Sequence, residues 1–81
     1  MNLNKPYNFP IGTLVTWRSK GVSSWIEYLA NQFGPGPFQV IDVDYSLYDN
    51  PKVILVDCQD DKVLEYSEGM KFFDKSWLQK F

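Results

Sequence analysis

Eighty-one residues suffice for one domain and leave no room for two, and a chain this short needs most of its apolar residues, 44% of the whole, inside. With 17% aromatic residues, a formal net charge of −2 and an isoelectric point of about 4.8, the composition argues against disorder and against a strongly basic nucleic-acid binder. Nothing approaches the roughly 20 consecutive apolar residues of a membrane-spanning helix.

Met1-Asn2-Leu3-Asn4-Lys5-Pro6 contains no apolar run of the signal-peptide kind, so a soluble, cytoplasmic protein is expected. Cys58 has no second cysteine to pair with, which fits a reducing compartment. Charge is uneven along the chain. Residues 1–41 carry net +2, residues 42–62 net −4 through six aspartates, and residues 63–81 balance.

In chain order, Pro6 and Pro10 predict an extended arm over residues 1–10 of a single 1–81 domain. Residues 11–18 then alternate as a strand, with Val15 and Trp17 on one face and Leu14 and Thr16 on the other. Val22, Trp25, Ile26, Leu29, Ala30 and Phe33 follow the spacing of one helical face. Ser24 and Glu27 have capping-box spacing, and Gly34-Pro35 ends the element, predicting a helix over about 24–33. After the stiff 33–38 corner, a strand is expected over 38–45, with Phe38 and Val40 on one face and Ile41, Val43 and Tyr45 on the other. A turn follows around Asp49-Asn50-Pro51.

The apolar run 53–58 predicts a central strand buried on both faces, Cys58 included. A hairpin through 59–62 leads to a return strand over 63–66, and a turn at 67–69 to a short strand over 70–73. Residues 74–79 read as a single helical turn capped by Asp74 or Ser76, with Leu78 and Phe81 closing the base of the core. Trp17, Trp25, Phe33, Phe38, Phe72 and Trp77 are the expected core aromatics.

The order is therefore mainly β (α+β): five short antiparallel strands with one helix inserted after the first. Five short strands favour closure, which removes exposed edges. With its Ile11-Gly12-Thr13-Leu14-Val15-Thr16-Trp17 opening, long first excursion and three-strand meander, the chain resembles the SH3-like small β-barrel class. The run Phe33-Gly34-Pro35-Gly36-Pro37-Phe38-Gln39-Val40 is similar to a segment of small bacterial and phage proteins of that shape. The resemblance implies a bacterial or phage-infected cytoplasm. Neither an acidic first loop nor the Ala-Leu-Tyr-Asp-Tyr-type opening of peptide-binding SH3 domains occurs, so the resemblance is one of architecture.

Catalytic groups are sparse. The absence of histidine removes Ser-His-Asp and Cys-His arrangements and His-ligated zinc within one chain. Gly34-Pro35-Gly36-Pro37 is no phosphate loop, because proline lacks the N–H donors such a loop uses. Asp42-x-Asp44 opens like an EF-hand loop, but Leu47 and Val53 stand where the glycine and the bidentate glutamate belong. Asp42, Asp44, Asp57, Asp60 and Asp61 could still meet across neighbouring strands around a cation; solvated strand ends are the alternative. The expectation is a non-catalytic protein without cofactor or metal.

Tyrosines supply the better handle, because a ring can pack while its hydroxyl stays wet. Tyr28, Tyr45, Tyr48 and Tyr66, at edges, turns or the polar helix face, predict an aromatic rim through which an interaction module or regulator binds a protein partner. A nucleic-acid-associated barrel is the alternative, with Trp17 stacking on bases beside Arg18 and Lys20, and with Lys5, Lys71, Lys75 and Lys80 adding charge. Self-assembly through an uncovered edge strand is a third.

Overall fold

In the computed structural model, which describes residues 9–46 and 51–81, the alternating residues after Thr13 form β1 (Leu14–Trp17). Val15 and Trp17 are buried, whereas Leu14 faces outward. The helical stripe becomes α1 (Ser24–Phe33). Its N-cap is Ser23, whose hydroxyl accepts the Ile26 N–H at 3.2 Å, so the cap lies one residue before the expected Ser24–Glu27 box. Gly34, at φ 80°, ends the helix and donates its N–H to the Ala30 carbonyl at 2.8 Å. Ile26 and Leu29 are buried and Ala30 and Phe33 pack against the core, but Val22 and Trp25 lie partly in solvent.

β2 (Phe38–Asp44) and β3 (Lys52–Asp57) form the longest ladder. Val40 pairs with Leu55 and Asp42 with Ile54, so Ile41 is an extra residue, a bulge. That bulge resets the alternation: Val43, expected opposite Val40, pairs with buried Val53 and packs against the core. β3 is not buried on both faces. Val53 and Leu55 are buried, Ile54 and Val56 half-buried, and Cys58 is exposed, because the strand stops at Asp57, whose carboxylate accepts the Gln59 N–H and opens a turn.

Residues 63–66 do not form the expected return strand. Val63 makes one bridge to Val56, Leu64 donates its N–H to the Leu55 carbonyl, and the chain then leaves the sheet. The next strand is β4 (Phe72–Asp74), with Phe73 rather than Phe72 buried. Asp74 caps a 3-10 turn (Lys75–Trp77), and the chain extends again as β5 (Leu78–Lys80) instead of continuing a helical turn to residue 79. Phe81 does not close the core and is 69% exposed.

The five antiparallel strands are ordered β4-β3-β2-β1-β5, with α1 joining β1 to β2. The two edge strands are thus consecutive in the chain, separated by three residues, each advancing about 2 Å in a 3-10 turn. The sheet must curl to permit this, and its concave side and α1 enclose Val15, Leu29, Phe38, Val40, Val53, Leu55 and Phe73, all with no exposure. Each such side chain stabilises by roughly 1.5–3 kcal/mol relative to exposure. β4 and β5 do not pair with each other, so the sheet remains open between them. Among the described residues, β2 beyond Val40 pairs with β3 alone; there the Asp42 carboxylate accepts the Val43 N–H at 2.8 Å, and a charged group stands on the other side of the strand.

The expected 1–10 arm, apart from Phe9 and Pro10, and the turn at 47–50 lie outside the described residues. No helix among the described residues is long and apolar enough to cross a membrane.

Gly36 is a point of close approach. At φ 86°, an added Cβ would stand 2.9 Å from two ring carbons of buried Phe38. Gly36→Ala should therefore lower stability by about 1–3 kcal/mol, through steric contact and an unfavourable φ. Urea unfolding of the two proteins measures the difference, and an unchanged midpoint would contradict it.

Candidate functional site

An open groove of about 620 Å³ lies between the first turns of α1 and the 66–70 turn. Ser24, Trp25 and Tyr28 line one side, and Tyr66, Ser67 and Met70 the other. Residues 24 and 28 share a helix face by their i, i+4 spacing, and Trp25 adjoins them. The opposite side is held by its backbone: Met70 donates its N–H to the Ser67 carbonyl at 2.7 Å and accepts the Tyr66 N–H at 3.1 Å.

Aromatic packing fixes the groove's shape. Trp25 and Tyr28 stack with centroids 5.5 Å apart and planes 20° apart. Tyr66 stands nearly perpendicular to Trp25, at 5.8 Å and 84°, and also packs edge-on against Phe73 and Trp77. Its hydroxyl donates to the Phe72 carbonyl at 3.0 Å, so the ring is held at both ends. Tyr28 is 50% exposed, Met70 49% and Trp25 37%. The result is a rigid, right-angled aromatic corner whose outer surfaces meet water.

Of the tyrosines singled out in the sequence, Tyr28 and Tyr66 line this groove. Tyr45, just beyond the end of β2 and exposed, is not part of it, and Tyr48 lies outside the described residues. Sequence patterning placed Trp25 in the core and gave Met70 no role beyond the start of a strand. The available signal for Trp25 was Tyr28 three residues later: two large aromatics exceed what the edge of one short helix buries.

The residues of the nucleic-acid reading are placed differently. Trp17 is 7% exposed, packs against Phe33, Phe38 and Phe73, and donates its indole N–H to the Gly34 carbonyl at 2.7 Å. That leaves no ring face on which a base could stack. The half-buried Arg18 guanidinium donates to the Gly21 carbonyl at 2.8 Å, and Lys20 is exposed.

The aspartates do not gather as cross-strand proximity suggested. In the antiparallel β2–β3 register, Asp44 pairs with Lys52 while Phe38 pairs with Asp57, so Asp42 and Asp44 lie at the opposite end of the ladder from Asp57, Asp60 and Asp61. A second hollow, of about 290 Å³ beside Phe33, mixes Asp57, Asp60 and Glu65 with Lys62. Asp44 accepts the Ser46 N–H at 2.9 Å; this bond, then the Ser46 hydroxyl and the charge of Lys52, holds its carboxyl below the usual carboxylate range.

No family model, no curated protein and no solved structure matches this chain.

Two outcomes follow from this geometry. Tyr66→Phe removes one hydrogen bond and should cost about 0.5–1.5 kcal/mol in urea unfolding while leaving the rings packed; a loss above about 3 kcal/mol would mean that the hydroxyl organises more than this one contact. Because the Asp44 carboxyl is depressed in the folded state, its contribution to stability is present above the unfolded value of about 3.9 and disappears as pH falls through the lower folded value. A carbon-13 NMR titration should show Asp44 protonating below the unfolded reference, and a higher value would refute the Ser46 cap.

Proposed function

We propose that this chain is a small, non-catalytic interaction module of the SH3-like barrel class that binds a protein partner through the groove of Trp25, Tyr28, Tyr66 and Met70. In support of the class, the edge strands of the curled sheet are consecutive in the chain and meet through one 3-10 turn, and the helix occupies the first long excursion. A barrel read this way is a scaffold, and its function resides in the surface it carries.

The observation that carries the reading is the contiguity of half-open aromatics on rigid elements. Single exposed apolar residues are ordinary, but a contiguous aromatic patch marks a contact surface. Trp and Tyr are the side chains most favoured at such contacts, since a large rigid ring loses little conformational entropy when covered. Met70 adds an adaptable thioether at the margin. The acidic stretch 42–62 and the exposed Tyr45 lie apart from this surface and take no part in the proposed contact.

Affinity capture from the native host with three baits tests the proposal. The unmodified chain should retain a protein that a Tyr28→Ala/Met70→Asp double variant loses. A Gln59→Ala control, altered in the exposed turn after β3, should retain it. Equal recovery on all three baits would show that the groove is not the docking surface.

A further inference from the structure

We infer that the occupant of this groove is an extended, cationic segment of a partner protein, with a lysine or arginine side chain lying over the Trp25, Tyr28 and Tyr66 rings; the inference rests on the groove's being the docking surface proposed above. Its first support is charge. The six lining residues are uncharged, and the segments around them, 23–29 and 65–71, hold Glu27, Glu65 and Glu68 against one lysine, Lys71. Glu65 turns its carboxylate to the Gly69 N–H at 2.5 Å and thereby braces the 66–70 turn. Glu27 and Glu68 are exposed, and neither forms an ion pair with a described residue. Two exposed carboxylates thus lie in the segments that carry the aromatic floor.

The second support is ring geometry. Aromatic faces carry negative electrostatic potential and attract cations within about 6 Å of the ring centroid, Trp most strongly. The Trp25–Tyr28 stack supplies a broad ring surface, and Tyr66, nearly perpendicular to Trp25 at 84°, supplies a second wall. A lysine or arginine suits such a corner, because its aliphatic stem covers apolar surface along Met70 while its charged tip stays at the ring faces and in water. A phosphate backbone or an acidic segment would meet Glu27 and Glu68 with repulsion. The arrangement therefore selects by sign as well as by shape.

The test uses the full chain, nitrogen-15 labelled, and three short blocked peptides on one glycine–leucine frame with lysine, serine or glutamate at the variable positions. A single-stranded oligonucleotide is the fourth probe. The lysine peptide should shift the Trp25 indole N–H and the amides of 24–28 and 66–70, and its binding should weaken as salt rises. Tyr28→Ala should reduce that affinity about two- to fivefold, the size of one exposed cation–π contact. Glu27→Lys/Glu68→Lys, both at exposed positions, should reduce it about tenfold or more, with the unliganded spectrum otherwise retained. Equal binding of the serine peptide at the same resonances would overturn the cationic inference and leave the groove reading standing. So would failure of all three peptides while capture still depends on Tyr28 and Met70. Groove shifts from the glutamate peptide or the oligonucleotide as large as those from lysine would also overturn it.

Discussion

The indole of Trp17 is the contact through which helix and sheet are fixed to each other. Its ring meets Phe38 at 5.1 Å, Phe73 at 6.0 Å and Phe33 at 6.2 Å, so one side chain touches β2, β4 and the last turn of α1. A buried indole N–H without a partner would be costly, and the Gly34 carbonyl accepts it at 2.7 Å. That carbonyl is available because the helix ends there, at a glycine with positive φ. One residue on, the Thr16 hydroxyl donates to the Pro35 carbonyl at 2.7 Å. β1 and the helix terminus are therefore held together by side chains as well as by the chain between them.

With its C-terminal end held by Trp17, α1 has its direction over the sheet set by Ile26 and Leu29, both buried. The first turn then lies against the 66–70 segment. There the sheet core has run out, and Trp25 meets Tyr66 and Trp77 at steep angles. Aromatic contacts form a continuous path from interior to surface: Trp17 to Phe73, Phe73 to Tyr66, Tyr66 to Trp25, Trp25 to Tyr28. Exposure rises along it from Phe73, with none, to 50% at Tyr28. The proposed docking surface is in this sense the outer end of the core. Its rings are already ordered by packing, which lowers the entropy lost when a partner covers them.

The helix was the most legible element, because cap, stripe and terminal Gly-Pro are local signals that agree. The strands around 14–17, 38–44 and 52–57 were legible for the same reason. The final third was less so. Val63 and Leu64 carry strand-like side chains, yet this segment meets β3 at one bridge, closed by the Leu64 N–H to the Leu55 carbonyl and the Asp57 N–H to the Lys62 carbonyl, before the chain turns away. Leu78 to Lys80 show little strand character alone and become extended because β1 offers a free edge at Val15, Thr16 and Trp17. Strand identity there depends on pairing rather than on propensity. Half of the candidate site was legible: Tyr28 and Tyr66 stood out as amphipathic rings, while Trp25 looked like core.

From the sequence alone came the β-rich class, the helix over 24–33 and the shared faces of Val15 with Trp17 and of Phe38 with Val40. All of these follow from composition and from periodicities of two or 3.6, which the chain carries locally. Tertiary structure decided which strands lie at the edges, where the bulge at Ile41 returns Val43 to the core, and that the two groups of aspartates sit at opposite ends of one ladder. It also decided that Trp25, Tyr28, Tyr66 and Met70 share one surface. About forty positions separate the two halves of that groove, and only the curl of the sheet and the pinned end of the helix bring them together.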